Sequence, residues 1–187
     1  MKRPRNIPSD TSLKGSLEHI RYEFGAILLP ITDYPENLRE VAEFWHLSHT
    51  RLLLDFFTCK WISPINDLIY TDYFAGRQPI VGLYGNQPDQ EVKNFISQKL
   101  LHLTMLRFGK NSPPSEKLWP TAQYMQPIKE QSLLFIEDVI QMKLKFAIDN
   151  AELAEWKELK RRVTNQIPFS SNSGNVAISA MRSYISH

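Results

Sequence analysis

Apolar residues recur every three or four positions along most of this chain, and that period predicts α-helices. The first stripe runs through Leu13, Leu17, Ile20, Phe24 and Ile27. Thr11 or Ser12 is expected to cap this helix and Pro30 to stop it, giving a span of about 11–29. Pro35 suits the first turn of a second helix over about 35–59, with Glu36 favourable beside the positive end of its dipole. Ser63 and Pro64 open a short helical segment to about Tyr70. The stretch TDYFAGRQPIVGLYGNQPD reads as an ordered loop with a short extended piece at Ile80–Tyr84, packed down by Tyr70, Tyr73, Phe74 and Tyr84.

Asp89 is expected to cap a helix over about 89–108 that Gly109 ends. A short helix is expected from Pro120, and Pro127 then opens a long one to about Asp149, with Leu133, Leu134, Ile136, Val139, Ile140, Leu144 and Ile148 on its apolar face. Asp149 and Glu152 have capping-box spacing at the start of the last main helix, and Lys160, Arg161 and Arg162 suit its C-terminal dipole. The pattern predicts an all-α fold: an irregular bundle of about five main helices plus one or two short ones. Residues 1–10 read as a flexible N-terminal arm, 11–168 as a single helical domain, and 169–187 as a flexible or weakly helical tail rich in Ser and Asn.

Two histidines fall where that bundle should be driest. On a helical wheel Trp45, Leu52, Leu53 and Phe56 flank His49, and Phe95, Met105 and Leu106 flank His102. A buried imidazole without a hydrogen-bond partner costs about 1–3 kcal/mol, so each histidine marks a specified polar contact. Around them lies a candidate polar pocket of His49, Arg51, Asp55, Lys99, His102 and Arg107. Arg51 and Asp55 are four apart on one face, and Lys99 and His102 three apart on another. Structural use of both histidines is the expected reading, with a shared hydrogen-bonded network between them.

Composition narrows the classes. A chain of 187 residues with 42% hydrophobic and 22% charged residues suits one soluble domain. A net charge of +2 does not imply constitutive nucleic-acid binding. The single cysteine, Cys59, excludes an intramolecular disulfide and a cysteine-based zinc site, and fits a reducing cytoplasm. The N-terminal MKRPRNIPSDTS has no apolar run behind it, unlike a signal peptide, and no stretch is long enough to span a membrane.

The sequence HLSHTRLLLDFF, followed by FISQKLLHLTMLRFG, resembles small helical bacterial proteins of unknown function. In these a His-x-Arg-x-x-x-Asp-Phe-Phe helix pairs with one carrying Lys-x-x-His-Leu-Thr. The matching positions are His49, Arg51, Asp55, Phe56 and Phe57, then Lys99, His102, Leu103, Thr104 and Arg107, within about residues 36–140. The resemblance implies no activity. It implies that the two histidine helices form one unit.

Glu43-x-x-His46 matches one Glu-x-x-His unit of di-iron bundles, but the second such unit is missing, so no metal and no cofactor are expected. Zinc-hydrolase, phosphate-loop, dinucleotide and nucleophile-elbow signatures are absent. The leading expectation is a non-catalytic interaction module whose partner is itself, as a homodimer, or another protein. The alternative is a metal-independent ribonuclease resembling the HEPN family, whose motif is arginine, four to six residues, then histidine. Arg39 and His46 satisfy it, as do Arg182 and His187, and RNA is a partner only under this reading. Glu40 stands where that family usually has a polar residue after the arginine. A third expectation is a small-ligand pocket lined by Trp45, Tyr73, His49 and His102.

Overall fold

A computed structural model describes residues 7–29, 39–59, 68–106 and 121–166. Five α-helices and no strand occur among them: α1 (Asp10–Leu28), α2 (Arg39–Phe57), α3 (Asp89–Leu106), α4 (Thr121–Ile140) and α5 (Asn150–Thr164). Among the described residues between α2 and α3 lies a 3-10 turn, Tyr70–Asp72. The expected all-α bundle is therefore what the chain forms.

α2 is the central element, packed on α1, α3 and α4, while α5 rests on α1 and α4. Glu23 meets His49 and Ala26 meets His46, so α1 and α2 run antiparallel. Arg51 meets Ser97 and Asp55 meets Lys93, which makes α3 antiparallel to α2 as well.

The α1 stripe closes on an aromatic core. Leu13, Leu17, Phe24 and Ile27 are fully buried, as are Phe57 of α2, Ile128, Ile136 and Val139 of α4, and Trp156 of α5. Phe135 is the hub. Its ring lies 5.2 Å from Phe24, 5.9 Å from Phe56, 5.1 Å from Phe74 and 5.8 Å from Trp156. Most of these pairs are tilted or edge-on, the arrangement that ring quadrupoles favour.

The loop after α2 packs down as its aromatics predict. Tyr70, Tyr73 and Phe74 are buried, and Tyr73 shares a 2.7 Å hydrogen bond with Ser16. The Ile80 N–H donates to the Phe57 carbonyl, satisfying an acceptor at the end of α2. The expected extended piece at Ile80–Tyr84 is instead broken by a turn, with Gly85 N–H bonded to the Gly82 carbonyl and φ of 67° and 64° at those glycines.

Several helix boundaries differ from the sequence reading. Ser9, not Thr11 or Ser12, caps α1, its hydroxyl accepting from Ser12 N–H, so α1 begins at Asp10 inside the expected arm. Asp89 does not cap α3. It is the first helical residue, and its carboxylate accepts from Gly82 N–H across the loop. α4 is one helix that passes through Pro127 rather than starting there. A proline in a helix interior costs about 3 kcal/mol. The continuous buried stripe of Tyr124, Met125, Ile128, Ser132, Phe135 and Val139 offsets it.

α4 also stops at Ile140, nine residues early, because Met142 takes φ 56°. Met142 N–H bonds the Val139 carbonyl and Lys143 N–H the Asp138 carbonyl, the paired bonds of a Schellman cap. Leu144 and Ile148 lie beyond it in irregular chain, half-buried against the core. α5 is capped by Asp149, whose carboxylate accepts from Glu152 N–H at 2.9 Å. Only half of the capping box forms, because Glu152 turns to Arg21 and Trp156 instead. The short segment expected from Ser63, the end of α3 at Gly109, the start at Pro120, and the 169–187 tail lie outside the described residues.

Candidate functional site

Glu23 occupies a core position of α1, between Ile20, Phe24 and Ile27. Its carboxylate meets His49 Nδ1 at 2.5 Å, with the two residues only 8% and 7% exposed. A carboxylate and an imidazole each taken out of water need such a partner, and here each supplies the other's. Trp45 lies 4.3 Å from the His49 ring and Tyr22 lies 6.0 Å from it, both steeply inclined. The other Glu23 oxygen faces the exposed His19, with Nε2 at 3.6 Å. Burial and the Glu23 charge both push the Tyr22 phenol above its ordinary range, so it stays protonated.

His46 sits one turn before His49 and reaches the Ala26 carbonyl of α1. Its Nδ1 is buried without a hydrogen-bond partner among the described residues. Burial first, then the charges of Lys129 and His49, lower its pKa to about 4, while the Ala26 hydrogen bond opposes them. His46 is thus a neutral imidazole at pH 7. Burial also lowers the pKa of Lys129 on α4.

Arg51 and Asp55 lie on the α2 face that meets α3. Arg51 Nε donates to Ser97 Oγ at 2.7 Å, and Asp55 pairs with Lys93 at 2.6 Å more closely than with Arg51 at 3.9 Å. The seam joins two helices through one carboxylate, two cations and a hydroxyl, all partly buried.

Of the sequence-derived pocket, the structure places His49 in one environment and Arg51 with Asp55 in another. His49 is satisfied by α1, and Arg51 and Asp55 by α3. Lys99 and His102 belong to α3 and Arg39 to α2, but their side chains lie outside the described residues, as does all of Arg107. Tyr73 binds Ser16 within the Phe135 cluster. Leu52, expected to flank His49 in the core, is 52% exposed, and Phe57 takes a core position instead.

Sequence reasoning missed Glu23, and with it His19 and Tyr22. The signal was present: a carboxylate on an apolar stripe is as anomalous as a histidine on one. Lys93 and Ser97 carry no local signal, because Asp55 and Arg51 meet them across the packing of α2 on α3. Among the described residues no group of three histidine, cysteine or acidic side chains is placed to hold a metal ion. No described helix is long and apolar enough to cross a membrane. Comparison with protein-family models, with curated proteins and with solved structures finds no match.

Proposed function

We propose that this chain is a non-catalytic interaction module that pairs with a second copy of itself through the outer face of α2. The observation that carries this reading is the stripe Phe44–Ser48–Leu52. Phe44 and Leu52 are 37% and 52% exposed, and they stand two helical turns apart on one face. The Ser48 hydroxyl between them donates to the Phe44 carbonyl at 2.8 Å, so it offers no free donor at the surface. Exposed large apolar side chains aligned on one helix face suit a protein contact.

The stripe is self-complementary. A two-fold axis through Ser48 brings Phe44 of one copy against Leu52 of the other, with the small residue at the crossing point. A net charge of +2 gives two copies little mutual repulsion. The histidines of α2 support a structural role: His49 is bound to Glu23, and His46 is buried and neutral. Free Cys59 fits a reducing compartment, the cytoplasm.

Sedimentation equilibrium of wild type and Leu52→Glu tests the reading. Wild type is expected to dimerise with concentration, and Leu52→Glu to remain monomeric, with the melting temperature of wild type at dilutions where wild type is itself monomeric. A wild type that stays monomeric at high concentration removes the self-association reading. Cleavage of a mixed RNA pool under chelator, abolished by His46→Ala, would replace it with the ribonuclease reading.

A further inference from the structure

We propose that the end of the molecule where Asp138 joins Arg77 and Lys143 is a docking site for a phosphomonoester dianion. The site is independent of the α2 face and uses none of its residues. Two unrelated segments build it. In the first, the Schellman cap of α4 folds the chain back, so that Lys143 N–H bonds the Asp138 carbonyl and Lys143 Nζ meets the Asp138 carboxylate at 2.8 Å. In the second, Gly76 takes φ 71° and returns Arg77 over the Phe74 ring, 5.8 Å from its centroid. Arg77 then meets the other Asp138 oxygen, also at 2.8 Å.

Each carboxylate oxygen thus holds one cation, and the cations are the more exposed partners. The Asp138 side chain is 12% exposed, whereas Arg77 and Lys143 are 47% and 50% exposed. Each cation gives one donor to Asp138 and keeps the rest, four on a guanidinium and two on an ammonium. One cation would neutralise the carboxylate. The second leaves an excess positive charge, held beside the first in a fixed arrangement. Lys145 adds another: its backbone N–H is fixed on the Tyr73 carbonyl, and its side chain is exposed with no ion-pair partner among the described residues.

A guanidinium and an ammonium gathered on one carboxylate offer charge-assisted donors to the oxygens of a phosphate group. The excess charge is compact rather than extended. Lys160 and Arg161 of α5 are each paired, with Glu137 and Glu158. A single doubly charged group fits this better than a polyanionic backbone, which needs a stripe of cations. Met142, in the cap just before Lys143 along the chain, is exposed and offers an apolar contact for the organic part of an ester.

The test titrates the full chain with phenyl phosphate and with inorganic phosphate, at low ionic strength and mildly alkaline pH, where both are dianions. Binding is read from the amide signals of Arg77, Lys143 and Lys145 and the Met142 methyl signal in NMR spectra. Saturable shifts centred on these residues are expected, with phenyl phosphate the tighter ligand. Arg77→Gln and Lys143→Gln should each weaken binding about tenfold or more, since each removes a charge-assisted hydrogen bond. Lys157→Gln, on the exposed side of α5, should leave it unchanged. If Arg77→Gln disturbs its turn, Arg77→Lys keeps the charge and should weaken phenyl phosphate by a smaller factor. Absent or non-saturable shifts, shifts centred elsewhere, or wild-type affinity in Lys143→Gln would overturn the site. Tighter, steeply salt-dependent binding of single-stranded RNA at the same residues would overturn its assignment to a phosphomonoester.

Discussion

The carboxylate of Glu23 and the imidazole of His49 meet at 2.5 Å in the seam between α1 and α2, and both residues are buried. The two helices that begin the bundle are therefore joined by a polar contact as well as by the Phe24–Phe57 stack. A buried pair of this kind fixes register, because a slip of one residue on either helix separates the partners.

Truncating either partner leaves the other buried and unmatched. His49→Ala or Glu23→Ala should each lower stability by about 2–4 kcal/mol, combining the lost bond with the cavity. The double variant Glu23→Leu/His49→Leu should cost much less than the sum of the two single changes to leucine, since no orphan charge remains. Urea unfolding of all three leucine variants measures the coupling. Simple additivity would show that the contact contributes nothing specific.

How the sequence shows this contact is instructive. His49 was legible because an imidazole interrupts an apolar stripe, and the helix it lies on was legible from period alone. Its partner was not, because a partner on another helix depends on crossing geometry that no local pattern encodes. Glu23 was visible only as a second anomaly, a carboxylate between Ile20 and Phe24. The buried loop aromatics were readable for the opposite reason: Tyr70, Tyr73 and Phe74 are too apolar to float, wherever they dock.

The end of α4 was the least legible, and the cause is specific. Met142 stops the helix in the left-handed region, with φ of 56°. Glycine is the residue that signals such a stop, and none stands there. The apolar period runs on through Leu144 and Ile148, so the pattern predicted helix where the backbone had already turned.

His46 predicts a pH dependence. Its folded pKa, about 4, lies below the ordinary 6.5, so the native state favours the neutral ring. Its stabilising contribution is complete above pH 6.5. As pH falls below that value the unfolded chain binds the proton first, and stability is lost until pH 4. The difference corresponds to about 3 kcal/mol. His46→Gln should flatten the slope of unfolding free energy between pH 6.5 and 4 relative to wild type. An unchanged slope would show that the ring is solvated in the native protein.

Two backbone changes in opposite chemical directions should both stabilise. Met142→Gly relieves the left-handed strain at the end of α4, for a net gain of about 0.5–1 kcal/mol after the added freedom of the unfolded chain. Gly15→Ala acts within α1, where an added methyl group meets no atom within 4 Å. There the gain is also about 0.5–1 kcal/mol, from helix propensity. Melting temperatures should rise in both and further in the combined variant, since the sites share no contact. A fall in either single variant would place its residue in a contact the backbone argument omits.

Glu152 and Glu158 lie on the same helix and carry the same charge, yet they should respond very differently to removal. Glu152 accepts from Arg21 at 2.5 Å and from the indole N–H of the fully buried Trp156 at 2.7 Å. Arg21 also lies over the Trp156 ring, 5.9 Å from its centroid, so one carboxylate orders both a cation and the largest core side chain. Glu152→Ala strands a buried N–H and a half-buried guanidinium, which should cost about 2–3 kcal/mol. Glu158 faces solvent and pairs with exposed Arg161, where water screens the attraction and side-chain entropy opposes it. Glu158→Ala should leave stability close to that of wild type. Glu152→Gln keeps the acceptor for Trp156 but loses the charge opposite Arg21, so it should fall between wild type and Glu152→Ala. Urea unfolding of the three variants, with tryptophan fluorescence followed alongside, measures the order. Equal losses in Glu152→Ala and Glu158→Ala would mean that α5 is held by its apolar face alone.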